Sequence, residues 1–179
     1  MRASVLLISV TIVIFGSVAS ALGQIPNFSG TWIMTGSDAQ VQSESAIVVP
    51  GLTHLAKPPV SGQRVIDQDA MTLRETYYSS TIPSATPPAT KVYYLDGRGE
   101  TNPVFTDHAF EIRSKTQVDG ARIAVDAELV QIATGKTQSK FKYFYKLSED
   151  GKTLKVDQID TGPIDGITIT TTYVYKRKI

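Results

Sequence analysis

The sequence predicts an all-β domain, an antiparallel up-and-down β-barrel of about 8–10 strands. Three observations carry this. Apolar and polar residues alternate with a period of two through most of the second half. Short turn signals, chiefly Asp-Gly, separate the alternating runs. No stretch sustains a helical period.

The chain opens with Met1-Arg2-Ala3-Ser4, continues in an apolar run from Val5 to Gly16, and closes that run with small residues, among them Ala19 and Ala21. This is the pattern of a cleavable secretory signal, with cleavage after Ala21 or Gly23. The expected division is a signal over 1–23 and one domain over 24–179, about 155 residues, enough for a single sizeable core. The expected location is secreted or periplasmic, with no integral membrane association once the signal is removed. There is no cysteine, so the domain relies on its core rather than on disulfides. The 18 basic and 17 acidic residues nearly cancel, which argues against a nucleic-acid partner or a charged membrane surface. Asn27-Phe28-Ser29 fits a glycosylation sequon, relevant only in a eukaryotic host.

Within the domain, residues 30–34 read as a first strand and 43–49 as a second, ended by Pro50-Gly51. Lys57-Pro58-Pro59 is a loop. Residues 63–68 and 71–79 form a hairpin around Asp69-Ala70. The stretch 82–90 carries Pro83, Pro87 and Pro88 and is read as a loop without a ladder of its own. Residues 91–95 make a strand closed by Asp96-Gly97-Arg98-Gly99. A single helical turn fits only near 37–43 or 160–165.

From residue 110 the alternation is clearer. Asp119-Gly120 separates the runs 110–118 and 121–130, a tight hairpin signal. Ala121, Ile123, Val125, Ala127 and Leu129 share one face of the second run, with Arg122, Asp126 and Glu128 opposite. Thr134-Gly135 precedes 138–147, where Phe141, Tyr143, Tyr145 and Leu147 face away from Lys142 and Lys146. A turn at Ser148-Glu149-Asp150-Gly151-Lys152 leads into 153–159, and Asp165-Gly166 into the last strand. There Ile167, Ile169, Tyr173 and Tyr175 oppose Thr168, Thr170, Thr172 and Lys176. About nine strands result, joined in sequence order. An outer-membrane barrel is disfavoured, because the outward charges would lie in lipid.

The segment Asn27-Phe28-Ser29-Gly30-Thr31-Trp32 resembles the Phe-Ser-Gly-Thr-Trp start of a group of uncharacterised exported bacterial proteins with lipocalin-like β-barrels, and the Gly-x-Trp start of lipocalins themselves. The likeness extends to Tyr94-Leu95-Asp96-Gly97, to Glu111-Ile112-Arg113-Ser114-Lys115-Thr116, and to Leu147-Ser148-Glu149-Asp150-Gly151-Lys152-Thr153-Leu154. It implies a lipocalin-like barrel in which Trp32 closes the floor and a basic side chain near the last strand, Arg177 by position, packs on it. The chain departs from lipocalins in lacking their cysteines and a helix before the last strand.

Phe141, Tyr143, Tyr145, Tyr173 and Tyr175 lie on the apolar faces of their strands. They either line a cavity for an apolar or aromatic ligand, phenol hydroxyls serving as polar handles, or fill the core of a small barrel. Catalytic patterns are sparse. The two histidines, His54 and His108, are far apart, and no nucleophile elbow accompanies them, so no catalytic residue and no metal site is assigned. Asp157 and Asp160 flank a strand end, and Glu149-Asp150 belong to a turn lacking a calcium loop's spacing. No phosphate-binding loop is present and no cofactor is expected. The leading expectation is an exported barrel that takes a small apolar molecule. The alternatives are an interaction module acting through loops 52–62 and 82–90, its protein partner unspecified, and an extracytoplasmic enzyme built on His108 or a carboxylate.

Overall fold

The computed structural model describes residues 25–43, 62–79, 88–104, 108–161 and 167–179. These form ten antiparallel strands: β1 (Gly30–Ser43), β2 (Gly62–Gln68), β3 (Thr72–Ser79), β4 (Ala89–Tyr94), β5 (Glu100–Pro103), β6 (Phe110–Asp119), β7 (Arg122–Gln131), β8 (Thr137–Leu147), β9 (Thr153–Thr161) and β10 (Ile167–Arg177). One sheet runs in the order β4-β3-β2-β1-β10-β9-β8-β7-β6-β5. Consecutive strands therefore pair, except β4 with β5, and the long β1–β10 ladder joins the first strand to the last. The edge strands β4 and β5 come into contact, so the sheet curls into a nearly closed barrel. No helix among the described residues is long and apolar enough to cross a membrane.

The period-two pattern explains which way each strand faces. On β7, Ile123, Val125 and Ala127 are buried while Arg122 and Asp126 are exposed. The registers carry that face around the sheet: Ile123 lies opposite Tyr145, Tyr145 opposite Val156, and Val156 opposite Tyr173. Gly120 supplies the positive φ, 58°, that the tight β6–β7 turn requires.

One end of the barrel is sealed. Trp32, Phe28, Leu73, Ile123 and Leu154 have no exposed surface there. The Trp32 indole N–H donates to the Phe28 carbonyl at 2.9 Å, and the Arg177 guanidinium carbon lies 4.4 Å from the indole ring centroid. Arg177 also donates to the Ser29 and Gly151 carbonyls, at 2.9 and 3.1 Å, tying both chain ends to the β8–β9 turn. Gly30 fits this corner for two reasons. Its φ is 144°, and a Cβ there would stand 3.2 Å from an Arg177 nitrogen.

Three sequence expectations need correction. Residues 30–34 and 43 belong to one continuous strand, β1, because a register shift between Met34 and Gly36 absorbs the break in alternation. The span 37–43, read as room for a helical turn, is the far half of that strand, and Asp160 and Thr161 end β9. The polar, proline-containing segment Glu100–Pro103 is a strand, which raises the count to ten; it sits at the sheet edge, where proline is tolerated. Residues 44–49, the loop 52–61, the proline cluster 82–87 and the 162–165 part of the second helical site lie outside the described residues.

Candidate functional site

The inward face of the barrel changes character along its length. Next to the sealed end, the register β2–β3 brings Arg64 and Glu75 inward on neighbouring strands. Their charged ends form an ion pair, and both are largely buried. The second Glu75 oxygen accepts from the Tyr145 hydroxyl at 2.6 Å, and Arg64 Nε donates to the Tyr175 hydroxyl at 2.7 Å. The rings of Tyr77, Tyr173 and Tyr175 lie 5.5, 6.0 and 5.0 Å from the guanidinium carbon. Burial opposes the Arg64 charge, but the phenols of Tyr175 and Tyr145 and the hydrogen bond to Tyr175 outweigh it, and its pKa lies above that of an ordinary arginine. Tyr145 and Tyr175 retain at most 1% exposure. These two of the five sequence-selected aromatics are thus locked into a plug.

Beyond the plug the inward side chains regain accessible surface. Phe141, Tyr143, Gln158, Asp160, Tyr173 and Lys91 are all only partly buried. Phe141 and Tyr143 stack with centroids 6.2 Å apart, and the Lys91 ammonium faces the Tyr143 ring at 5.7 Å. Burial pushes the Tyr143 phenol up to about 12 and raises Tyr173 as well. Burial, and then the charge of Arg64, lower Lys91 to about 8. These groups are desolvated yet keep some accessible surface, unlike the fully buried side chains at the sealed end.

Lys91 stands opposite Glu75 in the β3–β4 register, yet Glu75 is committed to Arg64 and Tyr145. Among the described residues no carboxylate lies within ion-pair distance of Lys91. Across the barrel, Asp160 stands between Phe141 of β8 and Ile169 of β10. Its Oδ1 is buried and has no hydrogen-bond partner, and burial raises its pKa. Among the described residues, the inward face beyond the plug thus holds one cation without a counter-charge and one carboxylate oxygen without a donor.

Alternation placed Phe141, Tyr143 and Tyr173 on the inward face, where they are partly buried. Arg64, Glu75 and Lys91 escaped sequence reasoning, although each sits among apolar inward neighbours: Ile66, Leu73 and Tyr93. A charge on an otherwise apolar strand face is the signal that finds them. His108 lies exposed in the turn before β6, and no hydrogen bond or ion pair joins it to another described residue. His54 and Asp107 lie outside the described residues. No cluster of metal-ligating side chains occurs among the described residues. A pocket of about 790 Å³ lies over β5–β8, lined by the outward Thr101, Arg113, Lys115, Asp126 and Lys140 and also by Ala127 and Phe141 of the inward face. Its charges are largely paired along the wall, with Glu128 3.3 Å from Lys140 and Asp126 3.0 Å from Lys142.

No protein-family model matches this chain, and no curated protein matches it. Solved structures do. A zebrafish ileal bile acid-binding protein complexed with cholic acid superposes with a TM-score of 0.54 at 13% identity, covering 84% of this chain and 98% of that one. Human cRBP IV gives 0.54 at 16% identity, covering 86% and 99%. The REP1-NXSQ fatty acid transporter gives 0.52 at 9% identity, covering 85% and 96%. At these identities, 9–16%, what is shared is the fold alone.

Proposed function

We propose that the chain is an exported carrier, secreted or periplasmic, that holds a small, mostly apolar acid inside its barrel. The observation that carries this reading is the Lys91 ammonium, without a counter-charge among the described residues, facing Tyr143 beside the partly buried Phe141 and Tyr173, which we read as the wall of a chamber. An apolar body would bury against the aromatic wall, contributing roughly 25 cal/mol per Å² of apolar surface removed from water. A carboxylate would supply the counter-charge that Lys91 lacks, and neutral phenols would orient it. Two structural neighbours, a fatty acid transporter and a bile acid-binding protein complexed with cholic acid, support the same class of ligand. The Phe-Ser-Gly-Thr-Trp start and the signal-like leader support export.

The test is a titration of the protein with dodecanoic acid, followed by calorimetry and native mass spectrometry. Lys91→Met is expected to weaken binding by about 1.5–3 kcal/mol, the worth of a hydrogen bond to a charged group, while dodecanol binding changes little. The pH dependence has a definite sign. The carboxylate stays ionised above pH 5 or so, whereas Lys91 loses its proton as pH rises through about 8. Affinity is therefore expected to fall above pH 8, with proton uptake on binding in that range. Equal affinity of native protein and Lys91→Met for the acid, with a flat profile across pH 7–10, rules out Lys91 as the counter-charge.

A further inference from the structure

The second unsatisfied group in the chamber narrows the ligand further, an inference that rests on the carrier reading above. We propose that Asp160 is a second binding pole, so that the ligand is a hydroxylated apolar acid: its carboxylate meets Lys91 and a hydroxyl on its body donates to the Asp160 carboxylate. Asp160 faces inward because Gln158, Val156 and Leu154 do, at alternate positions of β9. Its ladder neighbours on that face are Phe141 and Ile169, neither of which carries a side-chain donor. The nearest lysine in the β8 sequence, Lys140, is exposed and paired with Glu128 on the outer wall. Asp160 Oδ1 is the one buried side-chain oxygen or nitrogen among the described residues left without a hydrogen bond. A buried acceptor without a donor is costly, and native structures rarely keep one without use.

The position of the group fits a pole rather than a stray surface charge. Asp160 acts electrostatically on Tyr143, the same ring that Lys91 faces, so the two unsatisfied groups share one aromatic neighbour. On the sheet, Lys91 in β4 and Asp160 in β9 are separated by β3, β2, β1 and β10, which places them on different walls of the barrel. A ligand reaching both must carry two polar groups with apolar surface between them. A hydroxyl suits the Asp160 end better than an ammonium. It costs far less to desolvate, and it is not repelled by Arg64 and Lys91.

The experiment measures dissociation constants for dodecanoic acid, a panel of its mono-hydroxylated forms and ω-aminododecanoic acid, on native protein, Asp160→Ala and Asp160→Asn. One hydroxylated form is expected to bind about tenfold more tightly than the plain acid, the equivalent of one charge-assisted hydrogen bond. Asp160→Ala removes that gain, so that the hydroxylated and plain acids bind it alike; Asp160→Asn, which keeps an acceptor, retains part of it. Thermal melts check the fold, and Asp160→Ala is expected to melt no lower than native, since it deletes an unsatisfied group. Plain-acid binding with no preference for any hydroxylated form overturns the second pole and leaves the carrier reading standing. A hydroxyl gain that survives in Asp160→Ala, or a preference for the amino acid, overturns it equally. Failure of every acid to bind removes the carrier reading and this inference together.

Discussion

Arg64 and Glu75 are the residues on which the interior turns. Each would be costly alone inside the barrel, and together they cancel while tying down Tyr145 and Tyr175. Arg64→Met leaves the Glu75 carboxylate without its cation, and the expected loss is about 3–5 kcal/mol of unfolding free energy. The double variant Arg64→Met/Glu75→Met removes both charges and is expected to recover most of that loss. Urea melts of the two variants check the point; a double variant as weak as the single one would show that the pair's charges are not the source of the cost. Alternation made part of this legible. It put Tyr145 and Tyr175 on inward faces, but it could not say that they serve a buried ion pair. That depends on β2 and β3 lying across the interior from β8, a non-local arrangement that no local pattern encodes.

At the scale of elements, the seam between β4 and β5 is the weak line of the wall. No backbone ladder joins these two edge strands among the described residues. Side chains stand in for it: Asn102 Oδ1 accepts from the Val92 N–H at 2.7 Å, and Asn102 Nδ2 donates to the Val92 carbonyl at 2.9 Å. Glu100 accepts from the Tyr94 N–H at 3.1 Å and, at its other oxygen, from Ser114 and Thr116 at 2.6 and 2.9 Å. One carboxamide thus imitates a strand partner. Asn102→Ala leaves two backbone groups of Val92 unpaired, and the expected cost is about 1–3 kcal/mol. Amide exchange of Val92 should quicken far more than that of Ile123 in the continuous part of the sheet; uniform acceleration of both would mean that the seam opens only with the whole barrel. This strand was also the one the sequence concealed. Glu100-Thr101-Asn102-Pro103 has no apolar alternation, because its inward residues hold a seam instead of filling a core. The runs from 110 onward were readable because each buries one apolar face against two ladder neighbours. The β1 bulge at Met34/Gly36 hid a long strand for the opposite reason: one extra residue reverses the face, and the alternation appears to stop.

For the whole molecule, the barrel divides into two storeys with different work. The storey between Trp32 and the Arg64–Glu75 plug is sealed, and its side chains hold the fold. The storey beyond the plug keeps accessible surface on its inward side chains, and on the proposed function these wall the ligand chamber. Two tyrosines on one strand face, a single period apart, lie on either side of that boundary: Tyr145 at 1% exposure and Tyr143 with accessible surface. Sequence alone treats them alike, because both alternate with lysines and both face inward. The structure separates them by the plug. Tyr145→Ala opens a cavity against Phe28 and Tyr93, whose ring centroids lie 6.5 and 6.2 Å away, and strips Glu75 of a donor. Its expected cost is about 3–5 kcal/mol in stability. Tyr143→Ala removes part of the chamber wall and the ring beneath Lys91. It is expected to weaken uptake of dodecanoic acid about tenfold, near 1.4 kcal/mol, with a smaller loss of stability than Tyr145→Ala. Measuring melting temperature and ligand affinity for both variants decides the matter. If Tyr143→Ala lowers stability as much as Tyr145→Ala and leaves affinity untouched, the upper storey is core and not chamber, and ligand binding must be sought elsewhere on the molecule.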